Sequence, residues 1–311
     1  MLSVLNIVLP VFLLIAVGYC AVRFKLYPKS GVPGLIVFVN VIATPVLLFR
    51  AMLTADFQTS FDPGVISSFY AGAVVCFLAG MVLARRVFGN SPGLSVSSGF
   101  SAAFSNTVLI GIPLIQRAYG DAAMPYVYSI IGLHAPVLMS IGMVVMELAR
   151  RDGGKVSEAL MQAGIRAIKN PLLIGIALGI VCNMAQVKLA EPIDAVTLLM
   201  AQAVLPVALF GLGGALIDYR LVENWPQAAA MSALKLLIHP LIAWVMMVPI
   251  LGIDPAIARI GVLLAAMPCG INAYIFATYY NRGVNVASNA VLISTVGSIL
   301  SISLWLYLLS L

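Results

Sequence analysis

Ser105-Asn106-Thr107-Val108-Leu109-Ile110-Gly111-Ile112-Pro113 lies inside a run apolar enough to cross a bilayer, yet it carries an amide, two hydroxyls, a glycine and a proline. In hydrocarbon every backbone N–H and C=O needs a partner within the protein or in a water-lined cavity. A span that gives up its regular hydrogen bonds at mid-depth is therefore expected to line a site. Met267-Pro268-Cys269-Gly270-Ile271-Asn272 repeats the pattern much later in the chain. The two stretches read as halves of one site.

The composition agrees. Hydrophobic residues make up 62% of the 311 and charged residues 9%, and the mean hydropathy is +1.08. Soluble domains carry about 25% charge, so the chain reads as an all-α polytopic membrane protein. Ten spans are expected near 5–22, 34–53, 64–84, 94–116, 122–148, 170–186, 193–217, 227–250, 257–280 and 286–309. The first begins apolar at once, without a basic leader, and is expected to be retained.

The net charge of +6 does not point to nucleic acid, because the cations lie between apolar runs. Arg23, Lys25, Lys29, Arg85, Arg86, Arg150, Arg151, Lys155, Arg166, Lys169, Arg220 and Arg282 follow odd-numbered spans; Arg50, Arg117, Lys188 and Arg259 lie on the opposite side. The positive-inside rule then puts both termini outside the cytoplasm, in an inner-membrane, multi-pass arrangement. A basic cytoplasmic loop over 149–169 separates a first five-span half, 1–148, from a second, 170–311.

Five spans per half force the halves into opposite orientations, the inverted-repeat plan of many secondary transporters. An offset of 161 residues pairs Pro10 to Gly18 with Pro171 to Gly179. The same offset pairs Thr44-Pro45-Val46-Leu47-Leu48-Phe49 with Leu205-Pro206-Val207-Ala208-Leu209-Phe210. Spans 4 and 9 then correspond, and they are the two with interrupted centres. Pro113 and Pro268 remove backbone donors and are expected to break them, while Gly111 and Gly270 tolerate unusual dihedrals. Ser105, Asn106, Thr107 and Asn272 add side-chain donors and acceptors. A half-helix starting after a break points its positive end inward, which suits an anion.

No Asp or Glu falls near the middle of a span, so a carboxylate-based proton antiporter is not expected. No His-Glu-x-x-His helix, Gly-x-Ser-x-Gly elbow or intramembrane Asp pair is present, and neither enzymatic activity nor a metal or cofactor is expected. Cys20, Cys76, Cys182 and Cys269 read as buried thiols without metal-ligand spacing. His134, between Gly132 and Pro136, is either a titrating group or a packing histidine. Lys235 and His239, four apart, share a face of span 8; Lys235 is close enough to the cytoplasmic edge to snorkel, and the roles of both stay open. Asn40 and Thr44 in span 2 and Gln202 in span 7 either line a cavity or bond to neighbouring helices.

Ser105-Asn106-Thr107-Val-Leu-Ile-Gly111-Ile112-Pro113-Leu114 resembles the Asn-Thr-x-x-x-Gly-Ile-Pro-Leu signature of the auxin efflux carrier family, and Met267 to Asn281 resembles that family's second crossover motif. The resemblance extends over the whole chain in length, span number and repeat. It implies an elevator-type carrier with scaffold and transport domains and with spans 4 and 9 crossing at Pro113 and Pro268. It also implies a homodimer, as in the plant branch. Asn106 and Asn272 would receive a substrate carboxylate, with Tyr274 flanking it. The function expected is export or exchange of small organic anions such as malate, malonate or auxin-like acids, driven by membrane potential or by protons through His134. A sodium-coupled symporter of the bile acid transporter type is the alternative.

Overall fold

A computed structural model describes residues 2–54, 62–150, 161, 165, 168–218 and 223–310. The expected basic loop over 149–169 lies almost entirely outside the described residues. The described chain is helical, and its one β-type contact is an isolated antiparallel bridge between Ser105 and Cys269.

The helices are α1 (Leu2–Arg23), α2 (Lys29–Leu53), α3 (Pro63–Arg86), α4 (Pro92–Ala103) and α5 (Ile112–Tyr119, entered through a π turn at Thr107–Gly111). They continue as α6 (Met124–Arg150), α7 (Pro171–Met184), α8 (Glu191–Ala215), α9 (Trp225–Ile250), α10 (Pro255–Ala265), α11 (Ile271–Tyr280) and α12 (Val284–Leu308). Local sequence explains many of the starts. Asp62-Pro63, Asn170-Pro171 and Asp254-Pro255 each place an acceptor at the N-cap and a proline at the first helical position. The cap side chains accept from Gly64 and Val65 N, from Leu172 N and from Ala256 N, satisfying amides that the helix leaves without partners.

Seven helices among the described residues are long and apolar enough to cross a membrane, which establishes a polytopic membrane protein. Expected spans 4, 6 and 9 are the ones that fall short. The sixth, Pro171–Met184, has 14 residues, or roughly 21 Å at the α-helical rise, against a hydrocarbon core of about 30 Å. The fourth and ninth are each divided in two.

Two expectations need correction. The break in the fourth span contains no proline; it falls at Phe104–Asn106, and Pro113 sits inside the first turn of α5. The π turn Thr107–Gly111 immediately precedes it. Similar π turns, Phe38–Ala43 and Leu234–Ile238, end two residues before Pro45 and Pro240. A π turn widens the helix where a proline would clash with the carbonyl one turn back, so these prolines are absorbed without breaking the helix. The ninth span does break around its proline, over Ala266–Gly270. The second correction concerns the thiols: all four are free, Cys76 and Cys269 buried, but Cys182 only half-buried and Cys20 exposed. An apolar helix in a membrane protein need not bury its whole circumference in protein, and Cys20 and Cys182 lie on parts of α1 and α7 that neighbouring helices do not fully cover.

Packing separates two groups. Helix α1 lies along α8 and α2 along α7, with α2 also against α8; in the other group α3 packs on α4 and α9, α9 on α10 and α12, α4 on α6, and α11 on α12. Within the first group two contacts exchange partners at the 161-residue offset. A Cβ on Gly18 would lie 2.1 Å from the Phe210 carbonyl oxygen, and one on Gly179 would lie 2.5 Å from that of Phe49. Backbone cannot yield to such an overlap, and overpacking typically costs about 1–3 kcal/mol. Gly18→Ala and Gly179→Ala are therefore each expected to lower the melting temperature in detergent, by similar amounts. Gly34→Ala, whose added methyl meets nothing within 4 Å, leaves it unchanged.

Candidate functional site

The two broken spans meet at their breaks. Asn106 N donates to the Pro268 carbonyl at 2.8 Å and Gly270 N to the Phe104 carbonyl at 2.9 Å. These two bonds flank the Ser105–Cys269 bridge and satisfy backbone that no helix can. The crossing is pinned on both sides. Cys269 N donates to Ser294 Oγ of α12 at 2.9 Å, and the N–H and carbonyl of Ser105 lie 3.0 and 3.1 Å from His134 Nε2 of α6.

Helices α4 and α10 end at this crossing, and α5 and α11 leave from it. Asn106 is the N-cap of the turn leading into α5, its Oδ1 accepting from Leu109 N at 3.2 Å. That role fixes the amide so that Nδ2 faces away, and Nδ2 is buried without a partner. Ser105 Oγ and His134 Nδ1 are also buried and unpartnered. The Ser105 N–H and the Ser105 carbonyl both lie against Nε2, so Nε2 accepts from the one or donates to the other, and Nδ1 takes the opposite role. Three buried polar atoms, on residues no more than 4% exposed, are thus left without partners, and the Asn106 amide among them can only donate. Unsatisfied buried polar groups are uncommon and mark a ligand, water or functional strain.

These residues line a cavity of about 50 Å³ between the crossing, α2 and α6, which Leu172 of α7 also lines, with room for a few water-sized groups. Asn40 of α2 also lines it, with its own Nδ2 bonded to the Ile36 carbonyl at 3.0 Å. No carboxylate lines it among the described residues. The chemistry on offer is hydrogen bonding by neutral groups, with the Asn106 amide as a free donor, beside two helix N-termini, a match for a small anion.

The structure brings together Ser105, Asn106, Thr107, His134, Gly270 and Asn272 on this cavity. Pro268 takes part through its carbonyl. Gly111 lies behind the cavity wall, where an added Cβ would be 2.8 Å from Leu264 Cδ1. Pro113 is on neither the crossing nor the cavity; it faces a separate groove with Pro10 and Leu14 of α1 and Leu205 and Leu209 of α8. Tyr274 is half-buried on α11 and does not line the cavity. Gln202 lines a larger cavity of about 580 Å³, together with Arg50, Gln116 and Tyr128, between α2, α8 and the helices α5 and α6. Arg50 is held there by Asp194 Oδ1 and Thr197 Oγ1, both at 2.6 Å. Leu172 and Ile131, which wall the smaller cavity, carry no sequence signal, since an apolar residue at a helix start or on a helix face looks like any other.

The class these features define is a polytopic helical membrane protein with a buried polar cleft where the breaks of two divided helices meet. Residues 3–306 match the family described as membrane transport protein, and the chain belongs to it, the auxin efflux carrier family, a family of transporters and not of enzymes. A Rhizobium meliloti relative whose name assigns it provisionally to malonate transport is 25% identical over 315 residues, covering 99% of this chain and 97% of its own. An uncharacterized transporter of Escherichia coli K12 is 22% identical over 302 residues, 96% of this chain and 95% of its own. A rice protein named probable auxin efflux carrier component 5a is 19% identical over 328 residues, 91% of this chain and 90% of its own.

Proposed function

We propose that the protein is a secondary carrier exporting small carboxylates, with a dicarboxylate of malonate or malate size as substrate and the cavity at the crossing as its binding site. The observation that carries this reading is the set of three buried polar atoms without partners, Ser105 Oγ, Asn106 Nδ2 and His134 Nδ1, on residues that line one cavity. A carboxylate offers two oxygens with about four lone-pair positions; it accepts from Asn106 Nδ2 and the Ser105 hydroxyl, and from His134 when the imidazole proton is on Nδ1. Asn272 opposes them at the start of α11, and the malonate assignment of a relative that covers the whole chain agrees.

Alternating access follows an elevator scheme in this reading. Helices α1, α2, α7 and α8 form a scaffold, and the crossing moves with α3, α6, α9 and α12 as one body. The inverted repeat is supported by the exchanged Gly18–Phe210 and Gly179–Phe49 contacts, which share one sequence offset. The charge asymmetry of the loops supports both termini outside the cytoplasm; the larger cavity beside Arg50 then forms an outer vestibule. A membrane potential negative inside favours anion exit by about 2.3 kcal/mol per charge per 100 mV, so export needs no coupling ion.

The test is electrogenic flux from liposomes containing the purified protein, offered malonate, malate, succinate or indole-3-acetate. The expected result is a dicarboxylate current that grows with the imposed potential and persists without sodium. Currents confined to indole-3-acetate would replace the substrate class, and a panel without currents would sink the reading.

A further inference from the structure

Lys235 is 0% exposed and so does not snorkel to the interface. Among the described residues the ion pairs are Lys29–Asp218 and Arg50–Asp194, and Lys235 is in neither. A charge without a counter-charge inside a membrane protein is costly enough to require a purpose.

Its surroundings are built for a cation. The Lys235 Nζ donates to the carbonyl of Ala265, the last residue of α10, at 2.5 Å. It also meets His239 Nδ1 at 2.9 Å, while His239 Nε2 faces the Phe69 carbonyl at 3.0 Å. A carbonyl can only accept, so Nε2 carries the imidazole proton and Nδ1 turns its lone pair to the ammonium. The π turn Leu234–Ile238 places Lys235 there, and two of the turn's carbonyls have partners of their own: Trp305 Nε1 reaches Leu236 O and Cys76 Sγ reaches Leu234 O.

Ala265 marks the negative end of a half-helix that stops beside the crossing. Such helix ends, with their unwound carbonyls, are where transporters with broken helices coordinate sodium. The ring of Phe69 contacts both His239 and His134, at centroid distances of 4.9 and 5.5 Å, so the ammonium lies one aromatic layer behind the anion cavity. Helix α3, which supplies Phe69, has no charged residue between Asp62 and Arg85, so α3 contributes no second charge.

We infer that Lys235 is a tethered counter-cation, occupying the position at the end of α10 that a free alkali cation would otherwise fill, and that the carrier is sodium-independent for this reason. This rests on the anion-carrier reading for its consequence in transport. The cation position itself is testable without any substrate.

The experiment compares thermal unfolding in detergent, without substrate, and malonate flux in liposomes, each in sodium, lithium or choline chloride at equal ionic strength. Wild type should behave identically in all three salts. Lys235→Ala removes the ammonium and leaves space; it should melt lower in choline and recover saturably with sodium or lithium, and flux should regain at least tenfold. Lys235→Met removes the charge but fills the space, and should show no cation response. A lysine serving packing alone predicts a Lys235→Ala loss that no cation restores, and that result overturns the inference. Stabilisation of wild type by sodium overturns it equally, and this arm decides the matter if both variants fail to fold. Absence of malonate flux with an intact cation response in melting would count against the substrate and not against Lys235.

Discussion

Asn106→Asp is expected to abolish carboxylate transport while leaving the protein folded. The side chain has two separable duties. Its Oδ1 caps the turn into α5 by accepting from Leu109 N, a duty Asp performs as well as Asn. Its Nδ2 is the buried donor with no partner, and Asp replaces that donor with an acceptor bearing negative charge. A hydrogen bond to a charged group contributes about 1.5–3 kcal/mol, and like-charge repulsion in a poorly solvated cavity adds to the loss. Substrate affinity should therefore fall by at least about 100-fold, since each 1.4 kcal/mol is a factor of ten. The readouts are malonate binding by calorimetry and flux in liposomes, with the melting temperature as control for folding. Asn106→Ala should lose both duties, showing weaker binding together with a lower melting temperature. Unimpaired binding in a folded Asn106→Asp protein would place the substrate elsewhere.

The interrupted spans were legible because polar and flexible residues stand out against an apolar background. The location of the first interruption was less so. Pro113 drew attention as the helix breaker, yet a π turn absorbs it, and the break falls at Phe104-Ser105-Asn106, where no local rule demands one. What opens the helix there is tertiary: the Pro268 carbonyl and the His134 ring offer the backbone better partners than the next turn does. The 161-residue offset aligns Gly18 with Gly179 and Phe49 with Phe210 in the sequence, but gives no sign that Gly18 packs on the Phe210 carbonyl and Gly179 on that of Phe49. Lys235 was illegible for a different reason. Its distance from the helix end suits snorkelling, and only packing by α3, α10 and α12 shows that the chain turns inward.

Bridging α6 to α7 across the two helix groups should stop transport completely and reversibly. Gly132 of α6 and Ile176 of α7 touch so closely that a Cβ on Gly132 would lie 2.5 Å from Ile176 Cδ1. If α6 travels with the crossing while α7 belongs to a fixed scaffold, this contact must break in every cycle. Cysteines at both positions, with Cys20→Ser and Cys182→Ser removing the thiols that are not buried, can be linked by mercuric ion, which bridges two thiolates. Linked protein should bind malonate with unchanged affinity, because His134 and the crossing stay assembled, yet carry no flux until the mercury is removed with excess thiol. Each single-cysteine protein should keep its flux under the same treatment. An elevator scheme thus separates binding from transport at a contact outside the site. A fixed scaffold-to-crossing contact, as in a channel or a rocking mechanism hinged elsewhere, predicts flux that continues through the bridge, and that outcome would remove the division of the helices into moving and stationary groups.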